Sequence, residues 1–277
     1  MTADLDTLLI ALYVELTDRI IPSLGFTRSG PGKPPEVTDA ELVGRLFSRL
    51  LRQSEYNDRV MAAAPLMEAA LRCLADQTPG SAELLPLMDA TPVPCGQSAV
   101  TARRSNLYGY AGYGYCASHS RWYRGPKLLL ICTCEGTVTG FGLASPKLYG
   151  GRQQARQMLK DRPANRPAPG TAVITDKGLA GEETEEFFAS PGLGLALIRP
   201  ARKDETPRPF PNWLRQRVEA IIWTLKNQLG LERHGGRVSV GLWARVVQRL
   251  LARNAAIWHN WLISAPVKRS LIAYDHC

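Results

Sequence analysis

Two short apolar runs, LLPLMD and TAVITD, each end in a single aspartate, Asp89 in the first and Asp176 in the second. Their length and apolar composition predict buried β-strands. An ionised carboxylate at the end of a buried strand loses hydration at a cost in free energy, so it usually has a cation to meet. Any fold of this chain therefore has to bring both strand ends to a place where their charge is compensated.

A third acid, Glu219, lies in LRQRVEAIIWTLKNQ, a segment with the apolar period of a helix. Arg215 stands four residues before it and Lys226 seven residues after it, so all three share one side of the helix. Three carboxylates brought together by a fold would suit a hard divalent metal, which prefers oxygen ligands. The alternative, which the residues leave open, is that Asp89 caps a turn and Glu219 forms a surface ion pair. The apolar face of the helix comprises Leu214, Val218, Ile221, Ile222, Leu225 and Leu229.

The order of elements after residue 81 is strand, hairpin, helix, strand, helix, strand and helix. This order predicts an α/β fold, with a mixed sheet flanked by helices, and matches that of a ribonuclease-H-like core. In such a core the first and fourth strands are neighbours and a later helix packs across them, so the three acids would meet. The hairpin is expected around Glu135 and Gly136, and the Gly- and Tyr-rich stretch 102–125 is expected to be irregular.

Residues 1–80 are predicted to form a small all-helical region. Apolar residues recur at helical spacing from Leu5 to Ile21, and Val60 to Leu74 has the composition of another helix. Between them, Thr38 and Glu41 have the spacing of a capping box, which would open a helix ending near Leu51. A helical region of this size in front of a catalytic core either binds DNA or serves as a packing module, and residues 81–277 would form that core.

The positive charge of the chain is concentrated in two places. Residues 199–277 hold 14 Lys and Arg against five Asp and Glu, which accounts for the whole formal net charge of +9. Residues 90–134 hold five cations and no acid. Such clusters suit a polyanion such as DNA, or they form a solvated basic face. The candidate phosphate-binding residues outside the Glu219 helix are Arg121, Arg124, Lys127, Arg202, Lys203 and Arg237.

Aromatic side chains alternate with cations in the stretch 102–125. Rings and cations on one loop can stack on unpaired bases and contact their phosphates. The alternative is an ordered loop whose rings cover the sheet. The residues concerned are Tyr108, Tyr110, Tyr113, Tyr115, Trp122 and Tyr123, with Arg103, Arg104, Arg121 and Arg124.

The chain lacks the sequence features of a membrane or secreted protein. No apolar run approaches the roughly 18 residues of a membrane helix. The N-terminal segment MTADLDTLLIALYVEL is acidic before its apolar stretch, so it lacks the basic start of a secretion signal. We therefore expect a cytoplasmic, nucleoid-associated protein with no membrane partner.

The spacing R-x3-E-x6-K at Arg215, Glu219 and Lys226 resembles the signature helix of the DDE transposases of bacterial insertion sequences. Further blocks occur in the same order: MDATPVPCGQS, GYCASHSRWYRG, ITDKGLAG, LIRPARKDE, LKNQLGLERHGGR and RNAAIWHNW. The chain is most similar to actinobacterial members of the insertion-sequence group called nine-eighty-two. The likeness covers about residues 84–277, with a weaker echo in DLDTLLIALYVEL and VTDAELV.

The resemblance implies a function and the residues that perform it. Asp89, Asp176 and Glu219 match the catalytic, metal-binding acids, and Arg215 and Lys226 match residues that contact DNA near the scissile phosphate. The implied cofactor is Mg²⁺, as two ions, with Mn²⁺ as a substitute. The implied endonuclease reaction frees a 3′-hydroxyl at an element end, which attacks target DNA by direct transesterification. The implied partners are double-stranded DNA, as inverted-repeat ends and target, and a second copy of the chain in a homodimer on DNA. The region 1–80 would then bind the DNA ends.

The chain also departs from the family pattern. Asn212 stands where a Tyr is common, the segment PKLYGGRQQARQ contains no acid, and Leu128, Leu129 and Leu130 occupy a strand that usually carries a His. The helical N-terminal region is also shorter than is usual for the group. These differences keep two alternatives open: a catalytically inactive, transposase-derived DNA-binding protein, and a structure-selective nuclease of the same fold.

Overall fold

The computed structural model describes residues 4–26, 37–44, 51–78, 80, 85–96, 105–116, 120–147, 150–267, 271 and 274. Residues 45–50 and 101–104 lie outside these ranges. Arg103, Arg104 and the last part of the helix predicted to end near Leu51 are therefore not described. The chain divides into a helical unit and a sheet unit. The helical unit comprises Met1–Pro79, His234–Gly236 and Val240–Cys277, and the sheet unit comprises Gly80–Arg233 and Arg237–Ser239.

Most of the helices lie toward the two ends of the chain, and the strands lie between them. The helices are α1 Leu5–Glu15, which continues through a π-helical turn Leu16–Ile20 into α2 Ile21–Leu24, then α3 Asp39–Gly44, α4 Gln53–Ala62, α5 Ala64–Gln77, α6 Gly151–Asp161, α7 Glu182–Ala189, α8 Asn212–Asn227 and α9 Ser239–Leu262. The strands are β1 Leu87–Pro92, β2 Gly112–Cys116, β3 Arg121–Gly125, β4 Lys127–Cys132, β5 Val138–Ala144, β6 Ala172–Ile174 and β7 Ala196–Ile198.

The helical unit joins the N-terminal helices to the last helix of the chain. The side-chain amide of Asn254 on α9 is fully buried and donates to the carbonyl of Leu71 on α5 over 3.2 Å. The indole of Trp258 donates to the side-chain carbonyl of Gln77 over 2.9 Å. The sequence-based division at residue 80 did not anticipate that α9 belongs with the N-terminal helices, because periodicity defines a helix face but not its distant partner.

The predicted capping box is confirmed at the start of α3. The backbone N–H of Glu41 donates to the Thr38 hydroxyl over 3.1 Å, and the backbone N–H of Thr38 donates to the Glu41 carboxylate over 2.5 Å. Each residue thereby satisfies a backbone donor that the helix itself leaves unpaired.

The sheet unit is built on a five-stranded mixed sheet in the order β5-β4-β1-β6-β7. Strands β1, β4 and β5 pair antiparallel, and β6 pairs parallel with both β1 and β7. The predicted hairpin around Glu135 and Gly136 is confirmed as the β4–β5 connection. The predicted mixed sheet flanked by helices is also confirmed.

Helices cover both faces of the sheet. On one face, α6 and α7 pack against Met88, Leu129 and Val173 through a core that includes Leu159 and Phe188. On the other face, Leu214 and Val218 of α8 pack against Leu87 of β1 and Ile174 of β6. Because successive strand residues point to opposite faces, Leu87 and Asp89 lie on the α8 face and Met88 on the other. This alternation turns Asp89, the acid of β1, toward α8.

The expectation of an irregular stretch at 102–125 was wrong for part of it. Strands β2 and β3 form a separate two-stranded antiparallel sheet, with Tyr115 opposite Trp122. Glycines permit this close packing, since a Cβ at Gly114 would lie 2.7 Å from the hydroxyl oxygen of Tyr123. The many glycines were therefore a sign of close contact in a strand rather than of a loop.

Among the described residues, no helix has the length and apolar character that crossing a bilayer requires.

Gly125, at the end of β3, is expected to tolerate no side chain. A Cβ there would collide with the carbonyl of Val93 and lie 3.1 Å from the backbone nitrogen of Cys95. We expect Gly125→Ala to lower the free energy of unfolding by about 1–3 kcal/mol, because backbone has to move to admit the methyl group. Urea unfolding measures the effect. Gly96→Ala is the matched control, since a Cβ at Gly96 meets nothing within 4 Å, and equal stability of the two variants would contradict the argument.

Candidate functional site

Asp89 is the third residue of β1, and Asp176 lies two residues beyond the end of β6, the parallel neighbour of β1. Leu87 of β1 is paired in register with Ile174 of β6. Asp89 follows Leu87 by two residues and so lies on the α8 side of β1. The prediction that the first strand ends at Asp89 is wrong, because β1 continues to Pro92. The parallel pairing nevertheless brings Asp89 near enough to Asp176 for the charge of Asp176 to act on it.

Each aspartate also has a backbone partner. One carboxylate oxygen of Asp89 accepts from the backbone N–H of Ala90 over 2.7 Å. Asp176 is exposed and caps the 3-10 turn Lys177–Leu179, accepting from the backbone N–H of Gly178 over 2.8 Å. Both carboxylates are thus oriented by local hydrogen bonds, Asp89 within β1 and Asp176 just after β6.

Glu219 comes to the same face of the sheet on α8. The helix buries Leu214, Val218, Ile221 and Leu225, and Glu219 stands beside this apolar face with its side chain about half exposed. Its carboxylate lies 3.0 Å from the guanidinium of Arg215, one turn earlier. The surface ion pair that the sequence left open as an alternative for Glu219 is therefore formed.

The protonation of Asp89 is sensitive to the other two acids. Burial raises the pKa of Asp89 most, and the negative charges of Asp176 and Glu219 raise it further. The Ala90 N–H and the positive charge of Lys127 lower it, and the pKa of Asp89 comes to about 6. A carboxyl with this pKa, placed among like charges, is a site where a cation would be stabilised.

An open pocket of about 560 Å³ brings most of the predicted site together. It is lined by acidic, basic and aromatic side chains from β1, β2, β3, β4, α8 and the turn after β6. The predicted residues in its lining are Asp89, Lys127, Asp176, Arg215, Glu219 and Lys226. Three carboxylates and three cations around one opening can bind a phosphate and a cation side by side.

Lys226 is held at the pocket by an ion-pair network. Its ammonium lies 3.0 Å from one carboxylate oxygen of Glu232, and its side chain is only 12% exposed. Arg121 on β3 approaches both oxygens of the same carboxylate at 3.3 Å. Burial raises the pKa of Glu232, but Lys226 and Arg121 outweigh it, so the pKa lies below its usual value. Glu232 therefore stays ionised and couples α8 to the β2–β3 hairpin.

The remaining predicted phosphate-binding residues lie outside the pocket lining. Arg124 is 3% exposed, so its guanidinium is not presented to a polyanion. Arg202 donates to the carbonyl of Ala180 over 2.7 Å and so supports the segment that follows Asp176. Lys203 and Arg237 are exposed. Of this group, only the exposed side chains and Arg121 stand where DNA could reach them.

Three aromatic residues line the pocket. Tyr115 and Tyr123 were among the rings that the sequence indicated as possible base-stacking residues, whereas Trp223 was not predicted. Tyr115 and Tyr123 come from the β2–β3 hairpin, and Trp223 comes from α8. Trp223 is four residues after Glu219, so helical spacing from the acid would have found it. The hairpin residues could not be placed in this way, because their position depends on a pairing that the irregular reading of 102–125 excluded.

The donor set fits a divalent metal in its chemistry. Mg²⁺ and Mn²⁺ prefer carboxylate oxygens, and Asp89, Asp176 and Glu219 supply them from three elements around one pocket. In the part of the chain that the structure describes, no three His, Cys, Asp or Glu side chains are close enough to ligate one ion.

Comparison with known proteins adds no assignment, since no protein-family model matches the chain and no curated protein is significantly similar to it.

The raised pKa of Asp89 predicts a pH-dependent stability. Between about pH 4 and pH 6 the folded state keeps a proton that the unfolded state has lost, so stability falls as pH rises through this window. We expect Asp89→Asn, which keeps the oxygen that accepts from Ala90, to remove this fall. The variant should gain on the order of 2 kcal/mol relative to the parent between pH 4 and pH 7.

Urea unfolding of both proteins at pH 4, 5, 6 and 7 measures this gain. Asp204→Asn is the control, because Asp204 is exposed and does not line the pocket. A difference between the parent and Asp89→Asn that stays constant over this range would show that the Asp89 carboxyl titrates as it does in water.

Proposed function

We propose that the chain is a DDE transposase, which cleaves DNA at insertion-sequence ends and joins the freed ends to target DNA in a metal-dependent reaction. One observation carries the proposal. Asp89 on β1, Asp176 just after the parallel neighbour β6, and Glu219 on the helix that covers both strands line one pocket. The same three residues match the catalytic acids of the transposase-like motifs.

The topology of the sheet unit supports a ribonuclease-H-like core. In chain order, leaving out the separate β2–β3 hairpin, the strands lie as third, second, first, fourth and fifth. The second strand is antiparallel to the first and to the third, and the last two are parallel to the first. A fold of this kind hosts several activities, so the assignment of transposition rests on the site and the motifs rather than on the sheet.

Asp89, Asp176 and Glu219 would hold two Mg²⁺ ions, or Mn²⁺, in the active protein. When bound, such ions activate a water or hydroxyl and stabilise the leaving oxygen of a phosphodiester. The protein itself supplies the positions of these carboxylates and the cations around them. Lys127, Arg215 and Lys226 line the pocket, where they would bind the phosphates that flank the scissile bond.

Binding of DNA would replace two ion pairs of the site by contacts with phosphates. Arg215 now pairs with Glu219, and Lys226 pairs with Glu232. An incoming phosphate would take the place of a carboxylate beside each cation, which leaves Glu219 available to a metal ion. Breaking the exposed Arg215–Glu219 pair costs little free energy, because surface ion pairs contribute little to stability.

The wider biology of the proposal follows the sequence expectations. The DNA partners are the inverted-repeat ends and the target, bound by a homodimer, and the helical N-terminal region is the candidate for binding the ends. A basic chain with net charge +9 suits these partners, since neutralised phosphates release counterions. The protein would act at the nucleoid in the cytoplasm.

A second candidate is a catalytically inactive, transposase-derived DNA-binding protein. It is favoured by the ion pair between Arg215 and Glu219, which occupies one of the three acids, and by the lack of an acid in PKLYGGRQQARQ. A structure-selective nuclease of the same fold would use the same three carboxylates on branched DNA. Cleavage assays separate the three.

Asp176→Asn is expected to abolish metal-dependent cleavage and to leave DNA binding within about twofold. The asparagine keeps the oxygen that accepts from Gly178, so the 3-10 turn stays capped, but it removes a charge that a divalent ion requires. The substrate is a plasmid that carries the gene with its native flanking DNA. Gel analysis of strand breaks with Mg²⁺, Mn²⁺ or chelator measures the activity.

Asp204→Asn serves as the control and should cleave as the parent does. Breaks made by the parent at the flanks but not in branched DNA support the transposase, and the converse supports the structure-selective nuclease. Retained cleavage by Asp176→Asn would overturn the assignment of this residue. A parent that binds the flanks without cutting under any metal would identify the inactive alternative.

Lys226→Ala is expected to weaken DNA binding and to reduce the slope of log affinity against log salt by about one, as the loss of one phosphate contact requires. Fluorescence anisotropy with a duplex at several salt concentrations measures the slope. Lys160→Ala is the matched control, since Lys160 lies on α6, across the sheet from α8, where its ammonium packs over Phe187.

Removal of Lys226 also leaves Glu232 with one partner fewer. The double variant with Glu232→Gln tests whether that carboxylate repels DNA in the single variant. If the double variant recovers the slope of the parent, repulsion rather than a lost phosphate contact explains the single variant, and Lys226 is not a DNA-binding residue.

A further inference from the structure

A group of aromatic rings stands in solvent beside the acidic pocket. Tyr115 and Trp122 are directly opposed across the β2–β3 hairpin, and their ring centroids lie 5.4 Å apart with the planes at 56°. Tyr115 is 53% exposed and Trp122 is 72% exposed. On α8, Trp223 is 57% exposed. These three residues are referred to as the aromatic surface.

Packing within the sheet unit does not account for this exposure. The hairpin buries Cys116 and Tyr123 on one face and presents Tyr115 and Trp122 on the other. Large aromatic rings gain much free energy when they are buried. Two such rings that contact each other and water therefore mark a surface that a partner can cover. The alternative that the rings of this stretch simply cover the sheet holds for Tyr123 but not for this pair.

The aromatic surface is continuous with the site. Tyr115 and Trp223 line the same pocket as Asp89. Arg121 precedes Trp122 in β3, so its side chain lies on the other face of the hairpin, where its guanidinium shares Glu232 with Lys226 of the pocket. The pocket lining itself combines Tyr115 and Trp223 with the cations Lys127, Arg215 and Lys226. A nucleotide within a strand offers the flat face of its base and a phosphate on either side of its sugar. It therefore matches both the rings and the cations.

We propose that the aromatic surface stacks on an unpaired DNA base, so that the pocket takes DNA whose strand is opened beside the phosphate to be cut. The proposal rests on the proposed function for its choice of DNA, and it specifies the substrate class of that site. In an intact duplex both faces of a base are covered by its neighbours. Only an unpaired base can offer a face to Tyr115, Trp122 or Trp223.

The test compares two duplexes of identical length and phosphate number, one fully paired and one with three mismatched pairs at an end. Binding of the full-length chain is followed by fluorescence anisotropy in chelator, where no cleavage occurs. The parent is expected to prefer the mismatched end. Trp122→Ala and Tyr115→Ala should each lower affinity for that end by roughly five- to 100-fold and leave affinity for the paired duplex unchanged.

Three further variants make the comparison specific. Trp122→Phe keeps a π face and should keep the preference. Tyr108→Ala removes a ring that is 74% exposed but does not line the pocket, and should change nothing. Lys226→Ala should weaken binding of both duplexes by the same factor, because phosphates are common to them.

Several outcomes would overturn the inference. The first is that the parent binds both duplexes equally well. The second is that the alanine variants lose the same affinity for both duplexes. The third is that Trp122→Ala dissociates a concentration-dependent dimer while the preference for the mismatched end persists. The readout does not depend on cleavage. A preference for the mismatched end in a protein that never cuts DNA would remove the transposase and keep the stacking surface, whereas cleavage without the preference would do the reverse.

Discussion

The parallel pairing of β1 with β6 is the contact on which the site depends. One registered pair, Leu87 with Ile174, brings Asp89 on the α8 face of β1 near the end of β6, which Asp176 follows. A shift of one residue in β1 would move Asp89 to the opposite face, against α6 and α7. The apolar contacts of Leu87 and Ile174 with Leu214 and Val218 stabilise this register. The same contacts that hold the helix on the sheet therefore hold the acids together.

This arrangement has an electrostatic cost that the protein meets locally. Burial raises the pKa of Asp89 most, and the charges of Asp176 and Glu219 raise it further, so that it comes to about 6. Lys127 offsets part of that cost, and Arg215 takes up the charge of Glu219. Each cation of the pocket could serve a phosphate, but in the free protein it serves a carboxylate. Ligand binding would thus exchange ion pairs rather than create them, and exchanges of this kind are sensitive to salt.

Local pattern predicted the parts of the fold that are defined over a few residues. The apolar runs before Asp89 and Asp176, the buried face of α8 and the capping box at Thr38 all follow from spacing alone. Contacts between distant segments were beyond this reasoning. The ion pair of Arg121 with Glu232 joins residues 111 positions apart, and several acids and cations of the sequence could have formed it equally well. The membership of α9 in the helical unit was hidden for the same reason.

Helix α8 shows how the buried and the chemical parts of the site are joined. Its buried or half-buried residues Leu214, Val218, Ile222 and Leu225 are each followed by a residue that lines the pocket, namely Arg215, Glu219, Trp223 and Lys226. The helix therefore presents a cation, an acid, a ring and a cation along one line, about one turn apart. Because the apolar residues are fixed against β1 and β6, the line beside them is fixed as well. These groups could bind a metal ion, a phosphate and a base together because the helix holds them in this order. The packing of the helix therefore matters as much as the identity of its acid.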